Sequence, residues 1–161
     1  VSPVIEEASD ADADEILALQ KLAYQSEARI YDDDTIPPLH QTLEEMRGDI
    51  ARMAVLKATE EGRIVGSVRA RLDDRATCHI GRLIVAPDSQ GRGLGQRLMR
   101  AIEERFVEAA RYELFTGHRS ERNLHLYRKL GYQVFREEPL GSRVTMVFLE
   151  KRRRRGPRSG Q

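Results

Sequence analysis

The chain has 161 residues, of which 40% are hydrophobic and 33% charged, enough to build one water-facing domain with its own core. No apolar run approaches membrane-spanning length and no signal-peptide pattern is present, so no membrane partner is expected and a cytoplasmic location is. The lone Cys78 excludes an internal disulfide, and no Cys/His cluster has ligand spacing, so no metal is expected.

The net charge of +1 conceals an asymmetry. From Lys151 onward there are six basic residues and no acidic one, which leaves 21 basic against 26 acidic residues in the body. Residues 1–150 are expected to form a single domain, and residues 151–161 a basic, disordered tail. An acidic body, and an arginine run without interleaved aromatics, disfavour nucleic acid as a partner.

In chain order, Val4 to Glu7 reads as a short strand. Ser9 or Asp10 caps a helix whose apolar stripe is Ile16, Leu19, Leu22 and Ala23. Tyr24 to Pro38 reads as less regular, and Pro37-Pro38 as forbidding a continued helix. Thr42 and Glu45 form a capping-box pair for a helix to about Asp49. Met53 to Ala58 is a strand, Glu60-Glu61-Gly62 a hairpin turn, and Ile64 to Leu72 a half-exposed antiparallel strand. Thr77 to Val85 is another strand. A helix follows with Leu94, Leu98, Ile102 and Phe106 on one face. Tyr112 to Thr116 is a strand, Ser120 caps a helix stopped by Gly131, and Tyr132 to Arg136 and Val144 to Leu149 are the last strands. This order predicts an α+β, three-layer arrangement: a mixed, mostly antiparallel central sheet with helices on both faces.

The stretch Gln90-Gly91-Arg92-Gly93-Leu94-Gly95-Gln96 joins an apolar strand to an amphipathic helix. Glycines there admit a ligand to backbone N–H groups, and a helix N-terminus favours an anion. The Rossmann spacing is not met, and Gly95-Gln96-Arg97 is not the Gly-Lys-Ser/Thr of a P-loop.

That stretch resembles the Gln/Arg-x-x-Gly-x-Gly/Ala signature of the GNAT superfamily of N-acetyltransferases. Leu83-Ile84-Val85-Ala86-Pro87 is similar to the family's fourth strand with its Val-x-Pro exit, and Leu126-Tyr127-Arg128-Lys129-Leu130-Gly131-Tyr132 to its Leu-Tyr-x-Lys-x-Gly-Phe/Tyr segment. The resemblance implies a GNAT fold and acetyl-CoA as co-substrate. It implies pyrophosphate held at Gln90 and by the N–H groups of Gly91, Arg92, Gly93, Gly95 and Gln96, with Arg92 and Arg97 as further ionic contacts. Pantetheine is then expected to pair with the backbone of Leu83 and Val85. Many members place an Asn seven residues before the tyrosine; Ser120 stands there, and Asn123 is the alternative cofactor contact.

The implied reaction is acetyl transfer to a primary amine of a small molecule or peptide, by direct attack in a ternary complex. Tyr127 matches the family's general acid and the Leu83 N–H its oxyanion donor. His79 stands where several relatives carry a glutamate base. Strand alternation puts it on the face of Leu83, although an ordinary polar strand residue fits equally. His118 and Glu27 are further candidates for the base. Glu27 and Tyr31, with the Asp32 to Asp34 run, are expected at the acceptor mouth. The alternative is a non-catalytic acyl-CoA sensor of the same fold. The resemblance also admits a homodimer.

Overall fold

The computed structural model describes residues 2–153. Strand β1 (Val4–Glu7) leads through a short 3-10 turn (Asp10–Asp12) into α1 (Ala13–Tyr31). Ala13, Ile16, Leu17, Leu19 and Gln20 of α1 are buried, and after Gln20 only Tyr31 is buried again. The apolar stripe therefore fades while the helix continues, so the expected irregularity from Tyr24 is corrected as far as Tyr31. Asp32 ends α1 in the left-handed region at φ 49°, its N–H bonding the carbonyls of Ala28 and Arg29.

The paired prolines do not continue α1, which has ended at Tyr31; they open a new helix. Pro37 and Pro38 fill the first positions of α2 (Pro37–His40), where no intrahelical N–H is required. In α3 (Leu43–Arg52) the capping box is present: Glu45 N–H donates to Thr42 Oγ1 at 3.1 Å, and Thr42 N–H to Glu45 Oε1 at 2.9 Å.

Strands β2 (Ala54–Glu60) and β3 (Arg63–Leu72) form a hairpin through Glu61 and Gly62, both at positive φ. β3 is not half-exposed. Ile64 to Val68 are all buried, because helices cover this strand on both faces. β4 (Thr77–Val85) leads into α4 (Leu94–Arg105), which buries Leu94, Leu98, Met99 and Ile102. Each such side chain contributes about 1.5–3 kcal/mol by leaving water. Then come β5 (Arg111–Gly117), α5 (Glu121–Lys129), β6 (Gln133–Leu140) and β7 (Val144–Arg152).

The strands make one sheet in the order β1-β2-β3-β4-β5-β7-β6. Helices α1 and α3 pack against one face and α4 against the other. Every neighbouring pair is antiparallel except β4 and β5, the expected mixed, mostly antiparallel α+β sheet. Among the described residues no helix is long and apolar enough to cross a membrane.

Two departures from regular pairing shape the middle of the sheet. β4 and β5 pair only over Thr77–His79 with Arg111–Glu113, then splay. On its other edge β4 carries a bulge: Gly81 pairs with Arg69 and Ile84 with Ser67, so Arg82 and Leu83 together oppose Val68. Arg82 absorbs the extra residue at φ 50°.

β7 runs through Arg152, so Lys151 and Arg152 are strand residues rather than the start of a tail. Lys151 Nζ donates to Glu103 at 2.9 Å and Arg153 Nη1 to the Tyr112 hydroxyl at 2.6 Å, tying this end to α4 and β5. The remainder of the expected tail, 154–161, lies outside the described residues.

Candidate active site

The splayed strands and the start of α4 wall a cleft of about 850 Å3. Tyr24 and Glu27 line it from α1, Leu83 and Val85 from β4, and Asn123 and Leu126 from α5. The loop contributes Gln90, Gly91, Gly93, Gly95 and Gln96.

Gly91 and Gly93 stand at φ 80° and 79°, a conformation that penalises any side chain. Arg97 N–H bonds back to Gly93 O at 3.1 Å, so the N–H groups of Leu94, Gly95 and Gln96 precede the first intrahelical bond. Gly95 serves a different need. A Cβ there would lie 3.3 Å from Leu126 and 4.0 Å from Leu83 and Val85, so its absence lets α4, α5 and β4 converge. Arg29, Arg119, Arg122 and Lys129 stand around the same cleft. Free donors, a helix N-terminus and this cationic rim together fit a diphosphate.

The bulge bears on Leu83. Opposite Val68 it has no register partner in β3, and β5 has already diverged. On the β5 edge no strand lies beside it, and Leu83 lines the cleft. The bulge also breaks the alternation expected of β4. Val85 pairs with Gly66 and Ile80 with Ala70, one face of β3, whereas His79 pairs with Arg71 on the other. Leu83 shares the face of Val85, so His79 and Leu83 do not share a face.

His79 is further corrected as a base. It lies where β4 and β5 still pair, outside the cleft lining, with Nε2 donating to Asp73 at 2.8 Å and Nδ1 3.6 Å from Glu113. His79 and the neighbouring turn amides hold the Asp73 carboxyl down to about 2. His118 is spent on β7, its Nδ1 accepting from Thr145 N–H at 2.9 Å.

Two arginines also leave the expected pattern. The Arg92 side chain pairs with Glu60 at 2.9 and 3.1 Å, and Arg97 donates to Pro3 O at 2.8 Å. Gln90 clasps the cleft edge, donating to Val85 O at 3.3 Å and accepting from Arg122. Asn123 donates to Thr116 Oγ1 at 3.3 Å.

Tyr127 is buried behind the cleft, between lining residues of α5, with its ring edge-on to Tyr132 at 6.1 Å. Burial, with the Tyr24 phenol and Glu27 nearby, pushes its phenol above the ordinary value. It therefore carries its proton at neutral pH.

Tyr31 is not at an acceptor mouth. It is buried, and its hydroxyl accepts from Arg119 N–H at 3.1 Å and lies 2.7 Å from Ser120 Oγ. Ser120 Oγ donates to Glu27 Oε2 at 2.6 Å, which spends its one proton, so Tyr31 donates to Ser120. A directed chain from Arg119 through Tyr31 and Ser120 thus ends on Glu27, the carboxylate that α1 brings to the cleft. Ser120 makes no side-chain cap bond to α5.

Arg82 was not singled out from the sequence, although a charge inside the apolar run Ile80–Val85 marks it. Its Nη1 donates to Gln41 Oε1 at 3.1 Å. Gln41 also accepts from the buried Gln20 at 2.8 Å and donates to Asp49 at 2.5 Å. Arg69 pairs with the same Asp49.

Several known proteins share this architecture. PaiA N-acetyltransferase from Thermoplasma acidophilum, solved in complex with coenzyme A, superposes with a TM-score of 0.80 at 15% identity, over 95% of this chain and 100% of that one. YncA from Salmonella typhimurium, described as a putative acetyltransferase with its cofactor acetyl-CoA, gives 0.76 at 18% identity, over 99% of each chain. The UPF0157 protein YqkA of Bacillus subtilis (strain 168) is 28% identical over 123 residues, 75% of this chain. The match spans only 34% of that relative's length. The Acetyltransferase (GNAT) family matches residues 14–132, well over half of the chain, and the protein belongs to that family.

Proposed function

We propose that the protein is an acetyl-CoA-dependent N-acetyltransferase acting on a primary amine by direct attack within a ternary complex. One observation carries the reading. Leu83, at the bulge on the splayed edge of β4, and the N–H groups that precede the first intrahelical bond of α4 open onto the same cleft.

Bound there, acetyl-CoA supplies an acyl group activated as a thioester. The N–H groups of Gly91, Arg92, Gly93, Gly95 and Gln96 receive the diphosphate, and Gln90 and Asn123 border it. The backbone of Leu83 and Val85 extends beside the pantetheine arm, as a strand pairs with its neighbour. The Leu83 N–H donates to the negative charge that develops on the acyl oxygen.

Glu27 is the acceptor-side carboxylate. It attracts the ammonium form of the acceptor and takes its proton, so that the nitrogen arrives with a free lone pair. The N–C bond forms as the C–S bond breaks. Tyr127, still protonated, gives its proton to the departing thiolate, and the phenolate so formed takes the second proton from the newly acylated nitrogen. The Tyr31–Ser120 chain fixes the direction in which Glu27 points.

The test is release of free thiol from acetyl-CoA across polyamines, aminoglycosides, amino acids and short peptides. Acceptor-dependent release is expected. Acetyl-CoA binding by calorimetry without release for any acceptor would favour a sensor, and absence of both would end the reading.

A further inference from the structure

Directly before Leu83 stands a half-buried guanidinium that has no carboxylate partner among the described residues. Arg82 occupies the bulge position directly before Leu83, and its positive φ is the cost of turning the chain there. An arginine has five N–H donors in a planar fork. Among the described residues Arg82 has one side-chain hydrogen bond, to the neutral amide oxygen of Gln41.

The surrounding charges do not balance it. Asp49 is engaged by Arg69 and by Gln41 Nε2. Glu45 is turned to the start of α3, where it accepts from Thr42 N–H. Of the two guanidiniums only Arg69 contacts Asp49, and among the described residues Arg82 contacts no carboxylate. Burial, with Arg69 alongside, pushes its guanidinium below the ordinary value. A desolvated cation in this condition gains most from a bidentate anion.

The backbone position before Arg82 is open. A Cβ built on Gly81 would meet no atom within 4 Å. Tyr24, which lines the cleft, lies close enough for its phenol and Arg82 to act on each other's charge. Glu27, one turn further along α1, lines the same cleft. A cation thus stands on β4 directly before Leu83, outside the cleft lining, and a carboxylate, Glu27, lines the same cleft as Leu83.

We infer that the acceptor is a small amine that also carries a carboxylate, with the carboxylate docked on Arg82 and the amine presented beside Glu27. This rests on the acetyl-transfer reading and narrows its substrate class. Arg82 acts here as a specificity-determining residue, not as a participant in bond making.

The test uses matched acceptors with and without the carboxylate: L-lysine and cadaverine, L-ornithine and putrescine, L-histidine and histamine, L-phenylalanine and phenethylamine. In the wild-type protein, kcat/KM for at least one amino acid should exceed that of its decarboxylated partner by on the order of 100-fold. The matching N-acetyl amino acid should inhibit while the N-acetyl amine does not. In Arg82→Gln the ratio within each pair should fall to about 1, mainly through KM, and Arg82→Lys should retain part of it. Circular dichroism and melting curves establish that the variants are folded. Equal or better turnover of the decarboxylated partners, or of peptides only, would overturn the inference and leave acetyl transfer standing. Absence of turnover throughout would overturn it too, and acetyl-CoA binding then tells whether the broader reading falls with it.

Discussion

The Tyr31 hydroxyl stands 2.0 Å from where a Cβ on Gly117 would be placed. The end of α1 and the end of β5 therefore meet only because position 117 has no side chain. In Gly117→Ala the aromatic ring must move, since its Cζ would also lie 2.4 Å away. The expected loss is roughly 1–3 kcal/mol, read from the denaturant midpoint. In a Tyr31→Ala background the added cost of Gly117→Ala should vanish, which a double-mutant cycle measures. An undiminished cost would place the strain elsewhere.

Tyr127→Phe tests the proton donor. The phenol is buried against Tyr132, and burial keeps it protonated. Removing the oxygen retains the packing and deletes the proton. We expect kcat to fall about 100-fold with little change in KM for acetyl-CoA. Steady-state thiol release measures both, and an unaltered kcat would remove Tyr127 from the reaction.

What was legible in the sequence follows from which signals act locally. The glycine loop announces itself because Gly91 and Gly93 need positive φ and Gly95 needs close approach, constraints written into residue type. The buried faces of α4 and the Thr42–Glu45 capping box are likewise local patterns. The bulge at Arg82 is not. It arises from pairing with β3, and one inserted residue reverses every later side chain, which is how His79 came to be placed with Leu83. The end of α1 was missed for a related reason. Past Gln20 the helix faces the cleft, so the core no longer stamps a 3.6-residue stripe on it. Tyr31 read as an acceptor contact because its partners, Arg119 and Ser120, are remote in sequence.

Asp73 gives a prediction in acid. His79 Nε2 donates to it at 2.8 Å, and the N–H groups of Thr77 and Arg75 at 3.0 and 2.8 Å. These bonds favour the ionised form and lower its carboxyl from 3.8 to about 2. Above about pH 4 the group is ionised folded and unfolded, and the stabilisation is fully present. Between about pH 4 and pH 2 the unfolded chain binds the proton first, so this contribution declines and is lost as the pH falls through the folded value. Asp73→Asn lacks the titrating carboxylate. The gap in melting temperature between wild type and variant should be widest above about pH 4 and close towards pH 2. A gap that stays constant across that window would mean that Asp73 shapes the β3–β4 turn without its charge.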